Sequence, residues 1–204
     1  MAFIKPPKNI PLIIRFIIWM EEKKLKKQLL PARILSWYPK AVIGSGIMEG
    51  LIADKEGKVT KRLLKLIRMQ ISFIASCPFC IDMNSLKYDE LNITIEEIEA
   101  LQSIKNIDDV KTFSTNEKIA LKYVRSITST PISIDSDILK NMLSIYNERE
   151  FVVIVSTIAQ VNFWARLIQG LGIPPEGFSN DCKILNIENY ITLKKSESLR
   201  SADF

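Results

Sequence analysis

Histidine is absent from this chain. Its absence excludes Ser-His-Asp and Cys-His nucleophiles, every His-ligated metal site and the usual general base near neutral pH. Proton transfer has to use carboxylates, lysines, thiols, tyrosines or water. Glycine is scarce, with 7 among 204 residues, and short Pro/Gly/Asn punctuation separates long periodic segments. That pattern predicts an all-α chain. Long apolar runs are also missing near the N-terminus: Ile10–Met20 is interrupted by Arg15, and a membrane-spanning helix needs about 20 apolar residues. The charged run Glu21–Lys27 follows, where a signal peptide would need small residues. The expectation is a cytoplasmic protein without a membrane anchor.

What is present fits one globular domain over 1–204, 47% hydrophobic and 25% charged. The net charge is +5, but acids and bases are mixed. The densest basic run, Lys23-Lys24-Leu25-Lys26-Lys27, begins after two glutamates and lacks the interleaved aromatics that stack on bases, so no nucleic-acid partner is expected. An N-terminal amphipathic helix is predicted over about 10–30, stopping at Pro31, and a second over Lys40–Ala53. Thr60 caps a third helix with the apolar stripe Leu63, Leu64, Ile67, Ile71 and Ile74. Thr94 and Glu97 have capping-box spacing ahead of a short helix to Ile104. Further helices are expected from Ser114 or Thr115 to Ser129 and from Asp135 to Tyr146. Phe151–Leu171, the longest apolar stretch, should be the most buried helix. Residues from about 180 to 204 read as a polar peripheral arm.

Of three cysteines, two form Cys77-Pro78-Phe79-Cys80. Zinc needs four ligands, and without histidine only Cys182 and a carboxylate remain to complete a set, so no metal is expected. Two buried structural thiols are the plain alternative. The third reading is a redox dithiol. Cys77-Pro78 breaks one helix and opens another, where free amides and the helix dipole favour a thiolate. As N-cap, Cys77 would be the more acidic thiol, with Cys80 one turn further in.

The helix–Cys-x-x-Cys–helix arrangement resembles the carboxymuconolactone decarboxylase superfamily in its alkylhydroperoxidase D-like branch. Cys80-Ile81-Asp82-Met83-Asn84-Ser85 carries the resemblance, as does Asn162-Phe163-Trp164-Ala165-Arg166-Leu167 running into Gly170-Leu171-Gly172-Ile173-Pro174-Pro175-Glu176. It covers about residues 40–178. The resemblance implies an all-α, oligomer-forming fold, a trimer or hexamer, and a thiol peroxidase or disulfide reductase that needs no cofactor. It also implies a hydroperoxide substrate, a dithiol or thioredoxin-like reductant, and attack on peroxide by the second cysteine, Cys80. The superfamily offers a lyase as an alternative activity, and a non-catalytic oligomeric scaffold is the alternative from another class.

Two positions depart from the family pattern of Glu, eleven residues, Cys-x-x-Cys, three residues, His. Here they hold Lys65 and Asn84. The expected site is therefore Cys77, Cys80, Asn84 and Lys65. Lys65, sharing a helix face with Met69, Ser72 and Ser76, would point at the site mouth and favour thiolate by its charge. Asn84 can donate a hydrogen bond but cannot relay a proton. Asp82 reads as a first-turn charge on the helix dipole. Arg166 reads as a buried, paired cation, and Cys182 as an uninvolved thiol.

Overall fold

A computed structural model describes residues 2–51 and 54–179. Nine α-helices follow in order among these residues: α1 (Leu12–Leu25), α2 (Leu30–Leu35), α3 (Pro39–Leu51), α4 (Lys61–Ile74), α5 (Pro78–Asn84), α6 (Ile95–Leu101), α7 (Thr115–Thr128), α8 (Ser136–Ile145) and α9 (Glu148–Gly170). An isolated Glu56–Val59 bridge is the sole β-type pairing in the described part. The all-α expectation holds. The predicted C-terminal arm, Cys182 and the predicted helix end at Ala53 lie outside the described residues.

The hub is α4. Its stripe is wider than the sequence reading allowed, because nine of its residues are buried. Leu63, Leu64, Ile67 and Ile71 pack with Ile154, Ile158 and Val161 of α9 and with Val124 of α7. On its other side Leu66, Met69 and Phe73 meet Ile98 and Leu101 of α6 and Leu121 of α7. A third cluster joins Cys77, Phe79 and Cys80 to Ile34 of α2 and to Ala165 and Ile168 of α9. The cysteine turn is therefore built into packed core.

Three helix assignments from sequence need correction. The N-terminal segment is two helices, since Lys26 enters the left-handed region at φ 53 and ends α1. Pro31 then occupies the first turn of α2, where its missing N–H costs nothing, instead of stopping a helix. The last helix starts before Phe151, because Asn147 and Glu150 form a capping box. That helix, α9, is also less buried than α4: Val152 and Phe163 are exposed, and so is Arg166, which was expected to be buried. Its length and apolarity would suffice to cross a membrane, but it buries the polar Thr157 and Gln160, and Gln160 accepts from Arg68 of the hub helix.

Thr60, Thr94, Ser114 and Asp135 cap their helices as their sequence positions predict. The capping glutamates of α6 and α7 do more than cap. Glu97 accepts from the Thr94 amide (2.8 Å) and Glu117 from the Ser114 amide (2.9 Å). Their other oxygens both accept from Arg62 of α4. One guanidinium thus ties the starts of two helices to the hub.

Candidate active site

Cys77 is the N-cap of α5, as expected, with extended backbone (φ −96°, ψ 101°), and its Sγ accepts from the Cys80 amide at 3.3 Å. The residue before it, Ser76, sits in the left-handed region at φ 49. This sharp entry turns the chain from α4 into α5 and sets the two cysteines one turn apart. They lie at disulfide distance, Cα–Cα 5.2 Å and Sγ–Sγ 2.16 Å. Both thiols are screened from bulk water: Cys77 is 0% and Cys80 4% exposed.

The two sulfurs differ in outlook. Cys77 is enclosed by the third core cluster. Cys80 borders a cleft of about 580 Å³ among α1, α2, α3, α4, α5 and α9, with Asn84, Phe79, Met83 and Trp164 along its walls. The lining is mostly aliphatic, with Ile14 and Ile18 of α1 and Ile43 and Ile47 of α3 as its far side. A ligand entering this cleft meets Cys80, while Cys77 waits behind it.

Asn84 and Lys65, at the two positions where the resemblance would place a relay, separate in space. Asn84 stays at the cleft, where its Nδ2 donates to Ser72 Oγ (2.9 Å), which donates in turn to the Arg68 carbonyl (2.8 Å). That chain ends on backbone and transfers no proton. Lys65 does not take the expected place at the site mouth. Its Nζ donates to the Leu86 carbonyl beyond α5 at 2.6 Å. Burial, helped by the nearby Arg68 charge, lowers its pKa from 10.5 to about 8.

The sign of that shift makes a prediction. A lysine with a folded pKa below its unfolded value destabilises the fold while the unfolded chain holds the extra proton, so stability rises with pH from about 8 towards 10.5. Urea midpoints for wild type should therefore rise between pH 7 and 9.5, by about 1–2 kcal/mol. Lys65→Met should be more stable than wild type at pH 7 and flat across the same range. The interval ends at 9.5 because burial raises the Tyr146 pKa, and unfolded tyrosines ionise near ~10, reversing the trend. Equal pH slopes in both proteins would contradict the assignment.

Asp82 is buried and is not a helix-dipole charge. Its carboxylate accepts from the amides of Glu176 (2.9 Å), Gly177 (2.7 Å) and Ser179 (2.8 Å) and from Ser179 Oγ (3.1 Å). It binds the chain after α9 onto α5, which explains how two segments distant in sequence enclose the cysteine turn.

Sequence reasoning missed a polar cluster on the cleft. Arg68 Nη2 donates to Glu49 Oε1 (3.1 Å) and to Gln160 Oε1 (2.9 Å). Glu49 Oε2 accepts from Gln160 Nε2 (2.8 Å) and Trp164 Nε1 (3.0 Å). Arg68 was partly visible, lying three residues after Lys65 and four before Ser72 on one helix. Glu49, Gln160 and Trp164 come from α3 and α9, and no local pattern announces their convergence. Among the described residues no group of three or more Cys, Asp or Glu has the arrangement of a metal site.

No protein-family model matches the chain. Two curated relatives are similar to it. The uncharacterized protein YnjA of Escherichia coli (strain K12) is 23% identical over 181 residues, 89% of this chain and 96% of the relative. The uncharacterized protein YdfG of Bacillus subtilis (strain 168) is 27% identical over 140 residues, 68% of this chain and 93% of the relative. Among solved structures, an uncharacterized peroxidase-related protein with an alkylhydroperoxidase AhpD core, from Ralstonia eutropha JMP134, aligns with a TM-score of 0.73. The identity is 13%, covering 86% of this chain and 92% of that one. The debrominase Bmp8, as a cysteine-to-alanine variant in complex with 2,3,4-tribromopyrrole, also aligns at 0.73, with 16% identity over 87% and 94% of the two chains. The fold is AhpD-like.

Proposed function

We propose that this chain is a dithiol–disulfide oxidoreductase that reduces organic hydroperoxides at Cys80. The observation that carries the reading is the pairing of Cys80 with Cys77 at disulfide distance while Cys80 also borders the apolar cleft. The Cys80 thiolate attacks the terminal peroxide oxygen, the O–O bond breaks, and the alkoxide leaves as an alcohol after taking up a proton. The resulting Cys80 sulfenic acid condenses with the Cys77 thiol, releasing water and forming the disulfide. An external dithiol or thioredoxin-like protein in a reducing cytoplasm returns two electrons and two protons. The AhpD-like fold and the peroxidase-related neighbour support this reading.

The reading carries with it a homo-oligomer, a trimer or hexamer as the sequence resemblance implied. Leu12, Ile13 and Phe16 of α1, away from the cleft, are exposed and give a second copy an apolar surface to cover. The test of activity is chemical. The reduced protein treated with one equivalent of cumene hydroperoxide should form the Cys77–Cys80 disulfide, read by mass spectrometry of blocked peptides, well before Cys182 is modified. Oxidation of all three thiols at similar rates would overturn the reading and leave a scaffold.

A second reading rests on cleft size. About 580 Å³ holds a substituted ring and not merely a peroxide, and the fold neighbour Bmp8 is a debrominase crystallised with a tribromopyrrole. A dithiol also balances reductive dehalogenation: as it becomes a disulfide, its two electrons and one proton convert a carbon–bromine bond to carbon–hydrogen and bromide, and its second proton is released with the bromide. Release of bromide from tribromopyrrole by the reduced protein, with no consumption of hydroperoxide, would favour it.

A further inference from the structure

We infer that Arg68, held by Glu49 and Gln160, is the cation that serves Cys80: it stabilises the thiolate and the alkoxide that leaves when the O–O bond breaks, in place of the absent glutamate–histidine relay. The inference rests on the hydroperoxide reading for its substrate, and on geometry for its site.

Three observations converge. Arg68, Glu49, Cys80 and Asn84 line one cleft. Arg68 is anchored from its own backbone outwards, because its carbonyl accepts from Ser72 Oγ, which holds Asn84, one turn after Cys80. Its guanidinium is fixed by Glu49 and by Gln160, a side chain 1% exposed that spends its amide on Glu49, Arg68 and the Met48 carbonyl. A buried glutamine devoted to one ion pair fixes the direction of that pair. Only Nη2 of Arg68 is engaged by protein acceptors among the described residues. Nε and Nη1 remain donors for a ligand.

Among the described residues, the remaining charges on and around the cleft are accounted for. Glu21 of α1 is paired with Lys24 at the surface. Lys65 of α4 is spent on the Leu86 carbonyl and Asp82 of α5 on the chain at 176–179. Ile34 of α2 and Ala165 and Ile168 of α9 share an apolar core cluster with Cys80. Arg68 and Glu49 are thus the charged pair that a bound substrate meets. An adjacent donor and acceptor with zero net charge suits a neutral head that both accepts and donates. The C–O–O–H group of an organic hydroperoxide does both, whereas a carboxylate meets Glu49. The substrate class is therefore a neutral hydroperoxide with an apolar, ring-sized body. As the O–O bond breaks, Arg68 holds the alkoxide until the proton released by Cys80 returns to it through water.

The test uses the full-length chain with Cys77→Ser and Cys182→Ser, so that Cys80 is the single thiol. Its iodoacetamide alkylation rate is followed against pH. Arg68→Met should move the midpoint up by about one unit, a tenfold slower reaction at pH 7. Arg68→Lys, which keeps the charge, should stay near wild type. Glu49→Gln should move the midpoint down, because the cation loses its counter-charge. Opposite shifts are a signature that a packing role does not produce. No shift, or shifts in one direction for both Arg68→Met and Glu49→Gln, would overturn the inference. In the dithiol protein, kcat/KM for cumene hydroperoxide should exceed that for hydrogen peroxide and fall at least tenfold in Arg68→Met. Absence of all peroxide turnover in wild type would sink the hydroperoxide reading, while the alkylation profile would still decide Arg68's role.

Discussion

Cys80→Ser is expected to abolish hydroperoxide-driven oxidation of an added dithiol, by about three orders of magnitude or more, as loss of a nucleophile does. Cys77→Ser is expected to behave differently. The Cys80 thiolate in that variant still meets peroxide in the cleft, so one equivalent is consumed in a burst. Turnover then stalls at the sulfenic acid, because no neighbouring thiol resolves it. A sulfenic-acid trap added to Cys77→Ser should label Cys80, and the same trap should leave Cys80→Ser unlabelled. The comparison is fair structurally. Serine is a favoured N-cap, so at position 77 its hydroxyl replaces the sulfur that now accepts from the Cys80 amide. A burst in Cys80→Ser and none in Cys77→Ser would reverse the roles, as the helix-dipole argument for Cys77 would have it. Equal slow rates in wild type and both variants would end the enzymatic reading.

Arg62→Met is expected to cost about 3–5 kcal/mol of stability, a large share of what a domain possesses. Arg62 donates to Glu97, which is fully buried, to Glu117 at 2.9 Å, and to the carbonyls of Leu91 (3.2 Å) and Asn92 (2.9 Å). Burial by itself would lower the Arg62 pKa. The hydrogen bond and charge of Glu97, with Glu117, outweigh burial and hold it above its ordinary value. Methionine keeps much of the volume but leaves two carboxylates without their cation at the starts of α6 and α7. The cost is that of the stranded charges and not of the contacts alone. Urea unfolding gives the number. Adding Glu97→Gln and Glu117→Gln to Arg62→Met should recover part of the loss, since both stranded charges are then gone. A loss under about 1 kcal/mol for Arg62→Met would show that the triad is not holding these helices to the hub.

The candidate site was legible to the extent that its chemistry is local. Cys77 and Cys80 are three residues apart, and Pro78 between them forces a helix start, so N-cap geometry followed from the chain itself. Asn84 followed from helical spacing. Lys65 was placed on the right helix but with the wrong partner. Helical periodicity fixes the face a residue shares, and a long flexible side chain then goes to whichever acceptor the fold brings near. The acceptor here is the Leu86 carbonyl, supplied by a segment that turns back past α4. Arg166 failed for a related reason. An apolar stretch does not reveal which side faces solvent when the outer face carries Val152 and Phe163 as well.

The sequence by itself determined the all-helical class, five helix caps from Thr60 to Asp135 and the turn that sets Cys77 and Cys80 together, because each depends on contacts within a turn or two of chain. Tertiary structure decided which thiol meets the cleft, that Asp82 anchors the chain after α9, and that Arg68, Glu49, Gln160 and Trp164 converge in one cluster on the cleft that Cys80 borders. Gln160 lies 111 residues from Glu49 and 92 from Arg68. Packing of α3 and α9 on α4 brings these residues together, and no periodicity in the chain records a contact made across that distance.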